Sequence, residues 1–597
     1  MIREASASVK APTLGDHSAD RRMVMLAAMS LVAGIGGAAG AWVLLKLIAI
    51  ATNLFWFGRL SVQELDMAGQ AGGWGTLLIP LAGSLIVGLM ARFGSEKIRG
   101  HGIPEAIETI LFGESRLSLR VAVLKPLSSA ISIGSGGPFG AEGPIIMTGG
   151  AIGSLFAQCF HLSAAERKTL LVAGAAAGMT AIFGTPLAAI LLAVEVLLFE
   201  WRPRSFVPVA LAVLISFTIR PMLIGSGPMF AAELHAPGGG WALVAAIGLG
   251  LLAGLQAALL STALYRIEDD FHRLPLHWMW WPAVGSMAVG VGGLVDPHVL
   301  GAGYANIHAL FGNDLEVRAV VTLLLVKALV WLIALGSGTS GGVLAPLLIL
   351  GGALGCLAGQ YLPGDAGVWA MIGMAGIMSG AMRAPLTGAL FAAELTGSFG
   401  ALPLCLAGAV GAYAISVLLM RRSILTEKIA RRGRHIFQEY SVDALDLLQV
   451  RELMTTDPQT LPGTMPVSAV ITFFAGKARH RSYPVVDEAG RLLGLVSRSD
   501  ALRWQVDGVD PAASLAESLS DASQPFAFPD SPSGTVADLI VQSGIGRIPV
   551  VDHDSRRVIG ILSRQDLLKA RHKVRRAELA RARAIEWKRG MSANAPL

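Results

Sequence analysis

Residues 131–153, ISIGSGGPFGAEGPIIMTGGAIG, return 202 positions later as IALGSGTSGGVLAPLLILGGALG, residues 333–355. Gly134, Ser135, Gly136, Gly140, Pro144, Gly149, Gly150 and Gly153 fall on Gly336, Ser337, Gly338, Gly342, Pro346, Gly351, Gly352 and Gly355. A single charge breaks the match: Glu142 falls on Leu344. An ionisable group in such an apolar, glycine-rich stretch costs about 2.5 to 3.5 kcal/mol on membrane-insertion scales. A duplicated scaffold carrying one unduplicated carboxylate reads as a transport pathway.

Composition agrees. The chain has 597 residues, 53% hydrophobic and only 15% charged, with 71 glycines and a mean hydropathy of +0.59. Soluble domains carry about 25% charged residues, so most of this chain belongs in lipid. The formal charge of +6 does not indicate a nucleic-acid partner. Lys and Arg sit at the ends of apolar segments and in the C-terminal tail, which is the positive-inside pattern. Cys159, Cys356 and Cys405 are widely spaced within apolar segments and read as packing residues, not as a disulfide framework or metal cluster. The polar segment 1–22 is followed by an apolar run too long for a signal-peptide core. Arg21 and Arg22 before it, and Arg421, Arg422, Arg431, Arg432 and Arg434 at the other end, place both termini in the cytoplasm.

From 23 to 425 long apolar runs alternate with polar breaks, in two repeats of about 23–220 and 225–425. Gly100-His101-Gly102 pairs with Gly301-Ala302-Gly303, Lys125 with Lys327, and PLAAILLAVE (186–195) with PLTGALFAAE (385–394). The first of these decamers is followed by Glu200-Trp201-Arg202-Pro203-Arg204, a basic exit, whereas LTGSFGALPL after Glu394 has no basic residue. Equivalent ends therefore face opposite sides, and the halves are expected to be inverted. Interrupted helices at membrane depth are tolerated where the freed backbone lines a cavity.

Glycines before apolar helices leave backbone amides unpaired, and such helix starts bind anions. Amide dipoles hold an anion weakly enough to release it, which full charges would not. Close helix packing is the other use of these glycines. Beside the amides, Glu142 is a gate if its carboxylate occupies the anion site when ionised and leaves when protonated, and a structural cap if it is held there permanently. Lys125, Lys327, Glu195 and Glu394 appear in both halves and are expected to serve the fold. His101 faces Ala302 in the repeat, and is either a charge carrier at mildly acidic pH or a satisfied neutral side chain.

Beyond a linker at 426–445 a second duplication appears: SYPVVDEAGRLLGLVSRSDAL (482–502) against RIPVVDHDSRRVIGILSRQDLL (547–568). Each copy reads as strand, turn, strand, helix. A basic tail, 573–597, closes the chain.

These segments together resemble the CLC family of chloride channels and chloride/proton antiporters, and the soluble part resembles paired CBS domains, at 446–505 and 510–572. The resemblance implies a mainly α-helical polytopic membrane protein with an inverted repeat, followed by an α/β CBS pair. The family motif Gly-(Lys/Arg)-Glu-Gly-Pro stands as Gly140-Ala141-Glu142-Gly143-Pro144, which makes Glu142 the gating glutamate without its basic neighbour. Gly-x-Phe-x-Pro stands as Gly342-Val343-Leu344-Ala345-Pro346, so the amides of Val343 and Leu344 would line the anion site. Gly-Ser-Gly-Ile-Pro stands as Gly100-His101-Gly102-Ile103-Pro104, and the tyrosine of Ser-Ile-Tyr-Thr-Glu-Lys is Leu425. Two hydroxyl ligands are thus replaced. The implied anion-binding set is His101, Gly102, Ile103, Ala141, Gly143, Val343, Leu344 and Leu425.

A second glutamate, which in the family's antiporters directly follows the residue matching Glu195, is Val196 here, as in the channels. That favours passive, voltage-gated-type chloride conduction. Glu200, one helical turn beyond Val196, keeps exchange open as an alternative, with protons moving through Glu142, Glu200 and Glu195. In the CBS copies a Gly-x-x-(Ser/Thr)-x-x-Asp pattern implies adenine nucleotide bound by Ser497, Arg498, Asp500, Ser563, Arg564 and Asp566, with no cofactor required for transport. The implied partners are chloride, protons, lipid and a second copy of the chain in a homodimer. The expected location is the inner (plasma) membrane of a bacterial cell. A divalent-cation pore would need several deep carboxylates, and a nucleotide sensor without flux is a further alternative. No catalytic motif points to an enzyme.

Overall fold

The computed structural model describes residues 21–434, 448–519 and 525–570, with residues 436, 445 and 572. The N-terminal segment through residue 20, most of the linker from 435 to 447 and the basic tail at 573–597 lie outside the described residues. The chain divides into two units, one ending at Gln438 and one continuing from Glu439.

The first half of the helical unit contains α1 (Arg21–Phe57), α2 (Gly73–Phe93), α3 (Ile103–Phe112), α4 (Leu119–Gly134), α5 (Glu142–Gln158), α6 (Ala164–Phe183), α7 (Pro186–Leu192) and α8 (Pro203–Leu223). The second contains α9 (Gly240–Arg273), α10 (Trp281–Val295), α11 (Tyr304–Gly312), α12 (Val317–Gly336), α13 (Leu344–Gly359), α14 (Ala366–Met382), α15 (Pro385–Thr396), α16 (Leu402–Leu419) and the short α17 (Thr426–Arg431). Among the described residues, six helices are long and apolar enough to cross a membrane: α1, α2, α8, α9, α12 and the segment containing α16. Leu251, Leu252, Leu255 and Leu259 on α9 are exposed, a surface suited to hydrocarbon rather than water.

The repeat is inverted, as its charges predict. The matching helices α2 and α10 pack against each other and run in opposite directions. Arg99, just past the end of α2, lies over the rings of Trp278 and Trp281 at the start of α10. At the other end, a Cβ on Gly293 of α10 would sit 3.0 Å from the Thr76 methyl near the start of α2.

Glycine serves packing in one part of the duplicated stretch. Gly149 of α5 faces the carbonyl of Gly174 on α6, and Gly351 of α13 faces that of Gly373 on α14 so closely that a side chain at any of the four would collide with backbone. The two helix pairs therefore approach through small residues. Pro144 and Pro346 each stand third in their helices, where the missing N–H removes no intrahelical bond. The cysteine reading holds for Cys356 and Cys405, which are buried, and fails for Cys159, which is exposed at the end of α5.

The halves also exchange acidic caps. Glu195 accepts hydrogen bonds from the Leu386 and Thr387 amides, at 3.3 and 2.8 Å, at the start of α15. Glu394 accepts from the Leu187 and Ala188 amides, at 3.0 and 2.8 Å, at the start of α7. Each carboxylate satisfies free amides and faces the positive end of a helix from the other half. Glu394→Gln leaves one of these amides without its acceptor and removes the charge. The expected loss is about 1 to 2 kcal/mol, read as earlier thermal unfolding in detergent.

In the second unit the two duplicated segments form matching hairpins. Strands β1 (Thr455–Thr456), β2 (Leu461–Pro462), β3 (Ser482–Val486), β4 (Leu492–Ser497), β5 (Arg547–Val551) and β6 (Val558–Ser563) make two three-stranded sheets, ordered β2-β3-β4 and β1-β6-β5. Ser482 opposes Ser497 and Arg547 opposes Ser563, with the same register break between the paired valines of β3 and of β5. Pairing within the unit does not follow the linear order of the two expected segments, 446–505 and 510–572. β1 pairs with β6, and Val450 packs with Ile548 and Leu562 in the second core, whereas Leu515 packs with Val485 and Trp504 in the first. The segments before and after the first hairpin thus cross between modules, because each sheet needs a third strand and an apolar cover.

Candidate functional site

The glycine-led helix starts of the two halves meet. Gly140 and Gly342 form an antiparallel bridge, with the Gly342 amide donating to the Gly140 carbonyl at 2.9 Å. Helix α5 begins at Glu142 and α13 at Leu344, two residues beyond the bridge in each case. The third start, α3, is tied to them by a parallel bridge between Gly100 and Ser340 and by the Gly341 amide, which donates to the Gly100 carbonyl. Gly143 lies so close to the His101 carbonyl that no side chain fits between them. His101, Gly102, Ile103, Ala141, Gly143, Val343 and Leu344, expected together from sequence, are all buried here.

Lys125 holds this arrangement. Its fully buried ammonium donates to the carbonyls of Ile98 and Gly100, at 2.8 and 2.7 Å, and to Ser340 Oγ at 3.0 Å. Lys327 does the same for the second half, donating to the Val299 and Gly301 carbonyls at 2.8 and 2.9 Å. Both lysines serve the fold, as their duplication predicts.

The Glu142 carboxylate is fully buried and folded back across Gly140 and Gly342. A side chain at Gly140 would collide with it, so the glycine there makes room for the acid rather than only for a turn. Tyr304 Oη donates to Oε1 at 3.5 Å. The Glu142 and Ala345 amides face the carboxylate, although Oε2 has no hydrogen bond of good geometry. The acid therefore stands where the dipoles of α5 and α13 converge, the place an inorganic anion would occupy.

His101 is 3% exposed, and neither ring nitrogen has a hydrogen-bond partner. The bland reading, a satisfied neutral histidine, does not describe it. A neutral imidazole carries one N–H and one lone-pair nitrogen, so the ring can present one donor at this buried position. Leu425 is buried just before α17, and Lys428 of that helix pairs with Glu105 of α3 at 3.0 Å, which brings α17 against the same helix start.

The structure separates the remaining acids. Glu195 is engaged as the cap of α15. Val196 is buried at the position of the second glutamate. Glu200 does not share a helical face with Val196, contrary to expectation: the chain widens to a π-helix over Ala193–Leu198 and leaves it at Phe199, with φ 53. Glu200 then accepts from Ser205 Oγ at 2.7 Å and pairs with Lys168 at 3.7 Å and Arg202 at 3.8 Å.

Sequence reasoning missed Tyr304 and Ser340. Tyr304 follows Gly303 in the second Gly-x-Gly turn, where the first copy has Ile103, an asymmetry of the kind that singled out His101. Ser340 joins Lys125, Ser128 and Ser129 across the halves, and nothing local signals it.

Two cavities lie near the helix starts, and Glu142 itself lines neither. One, of about 220 Å³, is lined by Glu64, Asp66, Ala141 and Tyr304. The other, of about 730 Å³, is lined by Arg99, Glu105, Lys428, Arg431 and Arg432. They adjoin the segments before and after α2, and so open at opposite ends of that helix.

In the CBS-like hairpins, Ser497 and Asp500 form a capping box, with Ser497 Oγ donating to Asp500 at 2.6 Å, and Ser563 and Asp566 repeat it at 2.6 Å. Arg498 and Arg564 occupy the first position of the helix that follows each box.

Comparison with known proteins agrees with these features. The family described as "Voltage gated chloride channel" matches residues 82–417, and "CBS domain" matches 450–507 and 521–573. A ClcB-like chloride channel protein of Ralstonia nicotianae is 30% identical over 402 residues, which cover 65% of this chain and 94% of that protein. The voltage-gated ClC-type chloride channel ClcB of Escherichia coli is 29% identical over 384 residues, or 62% and 90% of the two chains. Among solved structures, a slow cyanobacterial Cl−/H+ antiporter superposes with TM-score 0.61 at 22% identity, covering 70% of this chain and 99% of its own. A eukaryotic CLC transporter covers 91% of this chain and 98% of its own, with TM-score 0.58 at 20% identity. The paired glycine-led helix starts, the lone carboxylate across them and the match over the membrane unit have one conclusion: the chain belongs to the voltage-gated chloride channel (CLC) family and carries a pair of CBS domains.

Proposed function

We propose that the protein passes chloride across the bacterial inner membrane as a homodimer with one pathway per subunit, by passive conduction gated at Glu142, and that it is not an enzyme. The observation that supports this most is the buried Glu142 carboxylate lying across Gly140 and Gly342 between the starts of α5 and α13. In that position the acid competes with chloride for the same amides, and protonation removes its reason to stay. His101 stands ready to donate a ring N–H to the anion from the α3 side.

Passive flow is favoured because Val196 cannot carry a proton and Glu200 is held off the helix by Lys168, Arg202 and Ser205. Chloride and proton fluxes recorded together in one liposome preparation test this. Chloride moving with no proton counter-flux, and reversing at the chloride equilibrium potential, is the expected result. Proton uptake against its gradient would instead establish chloride/proton exchange, with Glu142 and the Glu195–Glu200 segment as its route.

Adenine nucleotide at the CBS pair belongs to the same proposal. Each capping box opens a helix whose first residue is arginine, a setting suited to phosphate, and a ribose hydroxyl would share Asp500 with Ser497 and Arg503, and Asp566 with Ser563.

A further inference from the structure

We propose that Tyr304 is the latch of the gate: its phenol holds the ionised Glu142 carboxylate in the anion position and lets go when that carboxylate takes up a proton from the pocket beside Glu64 and Asp66. This rests on Glu142 being the gate, and adds a positioning residue and a side of entry for the proton.

The geometry is specific to this ring. Tyr304 is the first residue of α11, set by Gly303 in a left-handed turn, and its ring is held edge-on by Phe183, at 6.5 Å between centroids, and tilted against Phe230 at 5.8 Å. Two aromatic neighbours fix the hydroxyl in place at little further entropy cost. The Ala141 amide faces the phenol oxygen, while the phenol donates to Glu142 Oε1. With that amide on its oxygen's side, the hydroxyl hydrogen is left to the carboxylate. A donor to an ionised carboxylate is worth more than a donor to the neutral acid, so the contact favours the closed, ionised state and weakens on protonation. The phenol keeps its hydrogen throughout, and the arriving proton comes from water in the pocket.

That pocket of about 220 Å³ is where a proton meets the gate, since Ala141 and Tyr304 line it. Its titratable groups come from two segments: Glu64 and Asp66 from the stretch between α1 and α2, and His298, which is paired with Asp296 at 3.0 Å, from the turn before α11. The other titratable side chains at the helix starts are His101, just before α3, Glu105 in its first turn, paired with Lys428, and Lys125 behind the Gly100 turn, while the start of α13 contributes only Leu344 and Ala345. Glu64 lies near enough to Tyr304 to act on it electrostatically. The two carboxylates place negative charge at this mouth, which suits an approaching proton better than stored chloride.

The test is chloride efflux from liposomes as a function of pH on the Glu64–Asp66 side, for the wild type, Tyr304→Phe, Glu142→Gln and the double variant. Tyr304→Phe keeps the ring and its packing and removes only the donor. Its half-activation is expected to move to higher pH by about 0.5 to 1 unit, with about three- to tenfold more flux above the wild-type midpoint. Glu142→Gln is expected to be flat with pH, and the double variant to match it. An unmoved Tyr304→Phe midpoint beside a flat Glu142→Gln profile overturns the latch and leaves the gate standing. A Glu142→Gln protein that still titrates overturns the gate itself. Lost flux in the double variant relative to Glu142→Gln would assign Tyr304 to the fold and likewise overturn the latch.

Discussion

Glu142→Gln is expected to conduct chloride at every pH, with no proton coupling. The amide copies the protonated acid in shape but cannot ionise, so nothing charged is left to compete for the amides of α5 and α13. If Glu142 gates as proposed, protonation opens the wild-type pathway, so its flux is expected to rise as pH falls through the gate's midpoint and to decline above it. For a single site the decline is roughly tenfold per pH unit, so one unit above that midpoint the variant is expected to exceed the wild type by about tenfold. Efflux from liposomes across a pH series measures this directly. A variant with the pH profile of the wild type would show that Glu142 caps α5 and does not gate.

The second large effect is structural. Lys125→Met replaces a fully buried ammonium that donates to the Ile98 and Gly100 carbonyls and to Ser340, and it strands the buried Ile98 carbonyl and leaves the Gly100 carbonyl only the longer bond from the Gly341 amide. The expected loss is about 3 to 5 kcal/mol, or a fall of about 5 °C in thermal unfolding in detergent. Lys327→Met is expected to lose less, because no hydroxyl bridging the halves is among its partners. Unfolding temperatures in the order wild type, Lys327→Met, Lys125→Met are the signature. A Lys125→Met protein as stable as the wild type would mean that the turn at Gly100 needs no such tie.

Much of the fold is legible in residue order. The repeat at 131–153 and 333–355, the matched prolines and the basic exit at Arg202 and Arg204 predict two inverted halves, and α2 and α10 run antiparallel as that requires. Duplication also separates roles: Lys125, Lys327, Glu195 and Glu394 hold structure, while the unduplicated Glu142 and His101 stand at the site.

What sequence hides is set by contacts across long stretches of chain and by local backbone turns. The acid caps are exchanged between halves, with 192 residues between Glu195 and Thr387, and a repeat alone does not say which copy an acid serves. Glu200 follows Val196 at helical spacing, yet Phe199 turns the chain out of the helix first. Tyr304 reaches Glu142 across 162 residues, through a ring orientation fixed by Phe183 and Phe230. In the CBS pair, a linear cut near 505–510 overlooks that Val450 and β1 complete the second module and Leu515 the first.

The exchanged caps also govern how the chain is made. The start of α7 receives its acceptor from Glu394, 206 residues downstream of Ala188. At ribosomal speeds of about 5 to 20 residues per second, the first half waits about 10 to 40 s in the bilayer with those amides open. The first half is not a finished object when it leaves the translocon, and a nascent protein cut short before Glu394 carries an uncapped helix start for quality control to find.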